Sequence, residues 1–319
     1  MGRLLERLDL ELPIVQAGMG GGLARHELAA AVSEAGGLGT IGMVAPGALE
    51  GELREVRSRT VRPVAANLIV PLARRRQWQE AAEADVVVTH WGSPRRRTGG
   101  PWIHQCGSVD EARAAHAAGV DAVIAQGVEA GGHTRASLVA IELLDRIKAA
   151  LPSGFPVLVA GGIADTTDLR AALDAGAEAA VLGTRFLITP ESRAHPGYRR
   201  RLVEGRETVL TELFGFGWPA PHRVLPNAAT RRWLRRDPRG PPALRLLNRL
   251  SGPLGRIPLG DPAALQRPSR PLFTPHAVTD ERPDSMLDAG ALYAGETVAR
   301  INHVKPAAEV VAELSEALR

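Results

Sequence analysis

Residues 121–133 read DAVIAQGVEAGGH. The apolar run Ala122–Ala125, closed by Asp121 on one side and Gln126 on the other, has the length of a buried strand. Beyond it stand a carboxylate, two adjacent glycines and a histidine, which is more chemistry than a turn needs. Comparable runs recur along the chain at Ile14–Ala17, Leu38–Gly42, Pro63–Asn67, Val86–Thr89, Trp102–Gln105, Ala122–Gln126, Val157–Ala160 and Ala179–Leu182. Most are followed by a helical pattern, so parallel strands with helical crossovers are expected.

The helices between them carry start and stop signals. Ser108 and Glu111 form an S-x-x-E capping box before ARAAHAAG, and Gly119 can end that helix in a left-handed conformation. Asp165 with Asp168 opens DLRAALDAG in the same way, and HELAAAVSEAGG stops at Gly36. Eight strand–helix units favour a closed TIM (β/α)8 barrel over an open doubly wound sheet, because eight is the number that closes. The stretch WGSPRRRTGGP at 91–101 is too short and too rich in Gly and Pro for a helix, so one crossover should be irregular.

Past Arg185 the pattern weakens. Residues 190–285 are rich in Pro and Arg, yet they hold Phe214, Phe216, Trp218 and Trp233, which a disordered linker would lack. The expected organisation is a barrel from 1–190 plus 290–319, with 191–289 as a cap or lid. The final thirty residues return to a helical pattern broken at Pro306.

Composition narrows the function classes. At 319 residues the chain can bury a large core, and its formal charge of +4 comes from arginine runs at 74–76, 95–97 and 231–239. Without interleaved aromatics or a recognisable module these runs read as solvated faces, so no nucleic-acid partner is expected. The single Cys106 excludes an internal disulfide. The start MGRLLERLDLELP is too charged for a signal peptide, and no apolar run has transmembrane length; a cytoplasmic protein without a membrane partner is expected. No H-E-x-x-H, C-x-x-C or paired-histidine spacing suggests a metal.

Active sites of barrels gather at the C-terminal strand ends. There the sequence places Gly18-Met19-Gly20-Gly21-Gly22, Asn67, Gln126, Gly161-Gly162 and Gly183-Thr184. The last two pairs, on the seventh and eighth barrel strands, suit a phosphate held by backbone N–H groups, with Thr184 adding a hydroxyl donor. The glycine segment around Gly18 and Met19 can lie flat beside a planar ring, and the amides of Asn67 and Gln126 can address the edge of a heteroaromatic ring. His133 is the candidate general base, since imidazole titrates near neutral pH and Gly131-Gly132 lets the chain turn it towards the barrel mouth. His90 and His104 end strands as well and remain open.

The segments PIVQAGMGGG, AVSEAGGLGTIG, AANL, AGVDAVIAQGVEAGGH, VLVAGGIAD and AVLGTRF, in that order, resemble the nitronate monooxygenases, formerly the 2-nitropropane dioxygenases. The resemblance spans about residues 10–190 and returns in LYAGETV. It implies a TIM barrel with noncovalent FMN, oxidising alkyl nitronates with molecular oxygen and no nicotinamide. It also implies His133 as the catalytic histidine, Gly161, Gly162, Gly183 and Thr184 at the phosphate, and Met19, Asn67 and Gln126 at the ring. GMGGG stands where the family more often has PMxGG. Two alternatives stay open: an NAD(P)H-dependent flavin enoyl-thioester reductase acting on acyl carrier protein substrates, and a non-redox isomerase or lyase on the same barrel.

Overall fold

The structure, a computed structural model, describes residues 3–253 and 261–318. Eight strands run parallel: β1 (Ile14–Gln16), β2 (Gly39–Ile41), β3 (Val64–Ile69), β4 (Val86–His90), β5 (Trp102–Cys106), β6 (Ala122–Gln126), β8 (Val157–Ala160) and β9 (Ala180–Leu182). Three more, β7 (Gly132–His133), β10 (Val209–Thr211) and β11 (His222–Val224), form a small antiparallel sheet. All eight strands expected from the sequence are present, two with the expected bounds and the rest with ends shifted by one or two residues.

The parallel ladder runs β1-β9-β8-β6-β5-β4-β3-β2. It closes where Leu38, just before β2, donates to the Ile14 carbonyl and accepts from the Gln16 N–H, both at 2.9 Å. The result is the TIM barrel expected, with no free sheet edge. Residues alternate along each strand, so Val88, Ile103, Ile124 and Leu158 fill the inside while Val87, Val123, Ala125 and Val159 meet the helices.

The charged N-terminal stretch has a structural use. Its helix α1 (Arg3–Arg7) and the turn after it deliver Leu4, Leu5, Leu8 and Leu10 to the barrel interior, each nearly fully buried. The Leu4 N–H donates to Glu178 at 2.8 Å and Arg7 pairs with Asp121 at 2.5 Å, both partners standing just before a strand begins. Four leucines therefore plug the N-terminal end of the barrel, at about 1.5–3 kcal/mol of burial each.

The outer ring is formed by α2 (His26–Glu34), α3 (Leu49–Arg57), α4 (Arg75–Ala81), α5 (Val109–Ala117), α6 (Ala140–Ala150) and α7 (Thr166–Asp174). The Asp165–Asp168 capping box is complete. At α5, Ser108 accepts from the Glu111 N–H as expected, but the Glu111 carboxylate receives Gly107 N–H rather than that of Ser108. Gly36 and Gly119 carry φ of 95° and 83°, the conformation that ends α2 and α5.

No helix follows β4. Its flank is covered by side chains of the 95–97 arginine run: Arg96 lies 5.6 Å over the Trp102 ring and pairs with Asp121 at 3.1 Å, and Arg97 lies 5.2 Å over Trp78. These arginines are exposed, as a solvated face should be, and they also serve as a lid on two core tryptophans.

After β9 and the single turn α8 (Thr184–Leu187) the chain leaves the barrel. It builds α9 (Pro196–Glu204), β10, β11, α10 (Ala228–Trp233) and α11 (Pro242–Leu250), all beyond the C-terminal strand ends. Residues 291–301 belong to this region too: Leu292 accepts from the Leu225 N–H, and Tyr293 bridges Val224. The chain rejoins the ring at α12 (Ala307–Ser315), which packs between α7 and α2 through Val310, Val311 and Leu314. Pro306 opens that helix as its N-cap rather than breaking a longer one. The cap is thus an excursion between the eighth barrel strand and its helix.

Candidate functional site

A cleft of about 730 Å³ opens at the C-terminal strand ends, under the cap. Each candidate named from the sequence lines it: Gly18, Met19, Asn67, Gln126, His133, Gly161, Gly162, Gly183 and Thr184. They arrive from β1, β3, β6, β8 and β9, so the barrel's closure is what brings them together.

On the barrel side of the cleft, glycines bring backbone into the lining beside side chains such as Met19, Met43, Asn67 and Gln126. Gly18 abuts Asn67 so closely that a Cβ there would overlap the Asn67 side chain. Gly161 and Gly162 hold φ of 119° and 74°, which other residues adopt only with strain. A Cβ added at Gly183 would meet only the Ala17 methyl, at 3.8 Å, so there is open space beside that strand end. The Thr184 hydroxyl accepts from the Gly295 N–H at 2.9 Å, which leaves its own proton to donate. These features fit a bound phosphate with a planar ring beside it.

The run after β6 is clamped from both sides. On the barrel side Glu129 accepts from the Ala140 N–H at 2.8 Å, capping the first turn of α6. On the cap side the Arg223 guanidinium donates to the Val128 carbonyl at 2.8 and 3.0 Å, and the Glu296 N–H donates to the Glu129 carbonyl at 3.1 Å. Gly131 packs against Gly295 with no room for a Cβ. The carboxylate of the run thus fixes the loop that aims the histidine. Its second oxygen, Oε2, is buried with no partner, beside Gly127, while Oε1 faces the Gly161–Gly162 turn.

His133 sits in β7, paired with His222 of β11, and its carbonyl accepts from Gln126 at 3.1 Å. Half of Gln126 is therefore spent on the loop. The imidazole stacks on Trp218 with ring centroids 3.8 Å apart, with Tyr293 at 5.3 Å. Nε2 is shielded and unbonded. Burial, then the neighbouring His222 and His90, push the His133 pKa well below the usual histidine value, so the ring is neutral at pH 7.

The remaining histidines divide cleanly. His222 donates from Nδ1 to the Ala220 carbonyl at 2.8 Å and accepts the Phe214 N–H at Nε2 at 3.2 Å, and burial lowers its pKa to about 4. It is a neutral strut beneath His133. His104 is bonded to Thr89 at 2.7 Å, also lowered to about 4 by burial, and belongs to the core rather than the cleft. His90 does line the cleft, 3.1 Å from Gln105.

Sequence reasoning missed the cap's share of the lining: Phe216, Trp218, His276 and Tyr293. Trp218 and Phe216 were visible only as aromatics in a Pro/Arg-rich stretch, with no periodicity to say which way they face. Among the described residues no group of His, Cys, Asp and Glu could hold a metal ion.

The nitronate monooxygenase family model matches residues 3–105 and 82–317. A nitronate monooxygenase of Pseudomonas aeruginosa is 34% identical over 282 residues, covering 70% of this chain and 80% of the relative. Among solved structures, FabK from Thermotoga maritima superposes with a TM-score of 0.79 at 29% identity, covering 99% of this chain and 96% of that one. A nitroalkane oxidase from Streptomyces ansochromogenes gives 0.75 at 31% identity, with 98% of each chain covered. The chain belongs to the nitronate monooxygenase family of flavin-dependent oxidoreductases.

Proposed function

We propose that this protein binds FMN and oxidises alkyl nitronates with molecular oxygen, with His133 as its general base. The observation that carries the reading is a neutral imidazole, its Nε2 unbonded and shielded from solvent, in the lining of a cleft that also gathers Gly18, Gly161, Gly162 and Gly183. Gly161, Gly162, Gly183 and the Thr184 hydroxyl would hold the phosphate; Gly18, Met19, Asn67 and Gln126 would border the ring. When bound, the flavin supplies electron transfer between nitronate and oxygen.

What the chain itself does follows from His133. A nitroalkane arriving neutral loses its α-proton to Nε2, and the electron pair left on carbon delocalises onto the nitro group to give the nitronate. A depressed pKa keeps Nε2 free to accept at neutral pH. Trp218 holds the ring in plane, and Tyr293 and Phe216 keep water away from the developing charge. In this reading residues 191–289 act as the lid.

Two measurements test it. Anaerobic NADPH or NADH should leave the flavin band unbleached while a nitronate bleaches it; rapid bleaching by a nucleotide would instead support an enoyl-thioester reductase. His133→Asn should keep the flavin and lower turnover of a neutral nitroalkane by about 10²-fold or more. Loss of flavin together with activity would make His133 structural.

A further inference from the structure

The outer face of the cap combines charge and exposed apolar surface in a way the cleft chemistry does not use. Residues 228–253 carry seven arginines against a single aspartate, more positive charge than the +4 of the whole chain, so the rest of the molecule is net acidic. Arg239 and Arg245 pair with Asp237. Arg231, Arg232, Arg235, Arg236 and Arg249 are exposed and have no carboxylate partner among the described residues.

Amid these charges α11 is amphipathic in an unusual sense. Leu244 and Asn248 face inward, the latter donating to the Glu212 carbonyl at 3.0 Å. Leu246, Leu247 and Leu250 face outward at 57%, 43% and 71% exposure, three large apolar side chains within five residues of a solvent face. On a helical projection they form one stripe, with Arg245 and Arg249 in a row beside it. Leucines flanked by arginines that can extend past them form an interfacial helix, suited to sit at the headgroup level of an anionic bilayer.

We propose that this face of the cap docks on the surface of an anionic membrane, with Leu246, Leu247 and Leu250 entering the headgroup region and the surrounding arginines meeting lipid phosphates. This is attachment rather than a span: among the described residues no helix is long and apolar enough to cross. A nucleic acid or acidic protein would satisfy the arginines but would not need the leucine stripe. The face is also coupled to the cleft. Ser251, at the end of α11, accepts from the Gly217 N–H at 2.8 Å, and Gly217 precedes the tryptophan stacked on His133.

The test is cosedimentation of the full-length protein with phosphatidylcholine vesicles, with and without phosphatidylglycerol. Binding should require phosphatidylglycerol and weaken with salt. Replacing Leu246 and Leu250 by Ser should reduce the partition coefficient by about tenfold or more. Arg236→Gln or Arg249→Gln should each cost about fivefold. All these positions are exposed, and flavin content of each variant reports the fold independently of lipid. No binding of the parent protein to phosphatidylglycerol vesicles would overturn the proposal. Binding lost with the arginines but indifferent to the leucines would overturn it in favour of a polyanion.

Discussion

Around Gly18, Gly161 and Gly183 the cleft wall is glycine backbone at the ends of a closed ladder of parallel strands; around Trp218 and Tyr293 it is side chains hung on loops. The first wall has almost no freedom to change, because its shape follows from barrel closure. The second rests on irregular contacts such as Tyr293 donating to the Pro275 carbonyl at 2.7 Å and Asn227 donating to the Gly290 carbonyl at 2.9 Å. A rigid half built on strand ends and an adaptable half built on loops is a division by which one barrel can serve several reactions. It also makes separate predictions for the two halves.

The largest effect should come from the barrel. A Cβ on Gly39 would overlap the Ala29 carbonyl, backbone against backbone, with α2 pressed on β2. Gly39→Ala should destabilise the protein by about 3 kcal/mol or more, since neither element can move without opening the ladder. Urea unfolding with a midpoint unchanged from the parent would show that the barrel yields more easily than its geometry implies.

Next in size is the acid sensitivity shared between the halves. His104 in the barrel and His222 in the cap both have pKa values lowered to about 4 by burial, below the ordinary unfolded value. The unfolded chain therefore binds protons first. Their contribution is fully present above about pH 6.5 and is lost as pH falls towards 4, with a slope approaching about 1.4 kcal/mol per pH unit for each histidine. His222→Gln should flatten the urea-midpoint profile by one proton if barrel and cap unfold together. A profile left unchanged by His222→Gln but flattened by His104→Gln would mean that the cap opens separately.

The same contrast governs what could be read from the sequence. Barrel strands announce themselves as short apolar runs, and the catalytic candidates follow because strand ends converge on one face. His133 was identifiable from its place after β6 and its two glycines. Its low pKa was not, because the burial comes from Trp218, His222 and Tyr293, residues 85 or more positions away. Glu129 stood in plain view within the run, yet its duty as a cap for α6 depends on a contact with Ala140 that no local pattern encodes. The N-terminal leucines stand in a stretch read from the sequence only as too charged for a signal peptide, because only closure of the barrel creates the hole that they fill.

The smallest effect isolates the cap's contribution to chemistry. Trp218 touches His133 face to face and meets Trp91 edge-on at 5.5 Å, so it holds the imidazole without bonding to it. Ring stacking of this kind is worth about 0.5–1.5 kcal/mol beyond burial. Trp218→Ala should therefore lower kcat for a neutral nitroalkane by about three- to tenfold while flavin affinity, read by fluorescence quenching, stays that of the parent. Trp218→Phe keeps an aromatic face and should restore most of the loss. Gly161→Val, which forces a branched side chain to φ of 119°, should do the reverse and release flavin first. If Trp218→Ala also releases flavin, the cap contributes to holding the cofactor, and the two walls of the cleft act as one.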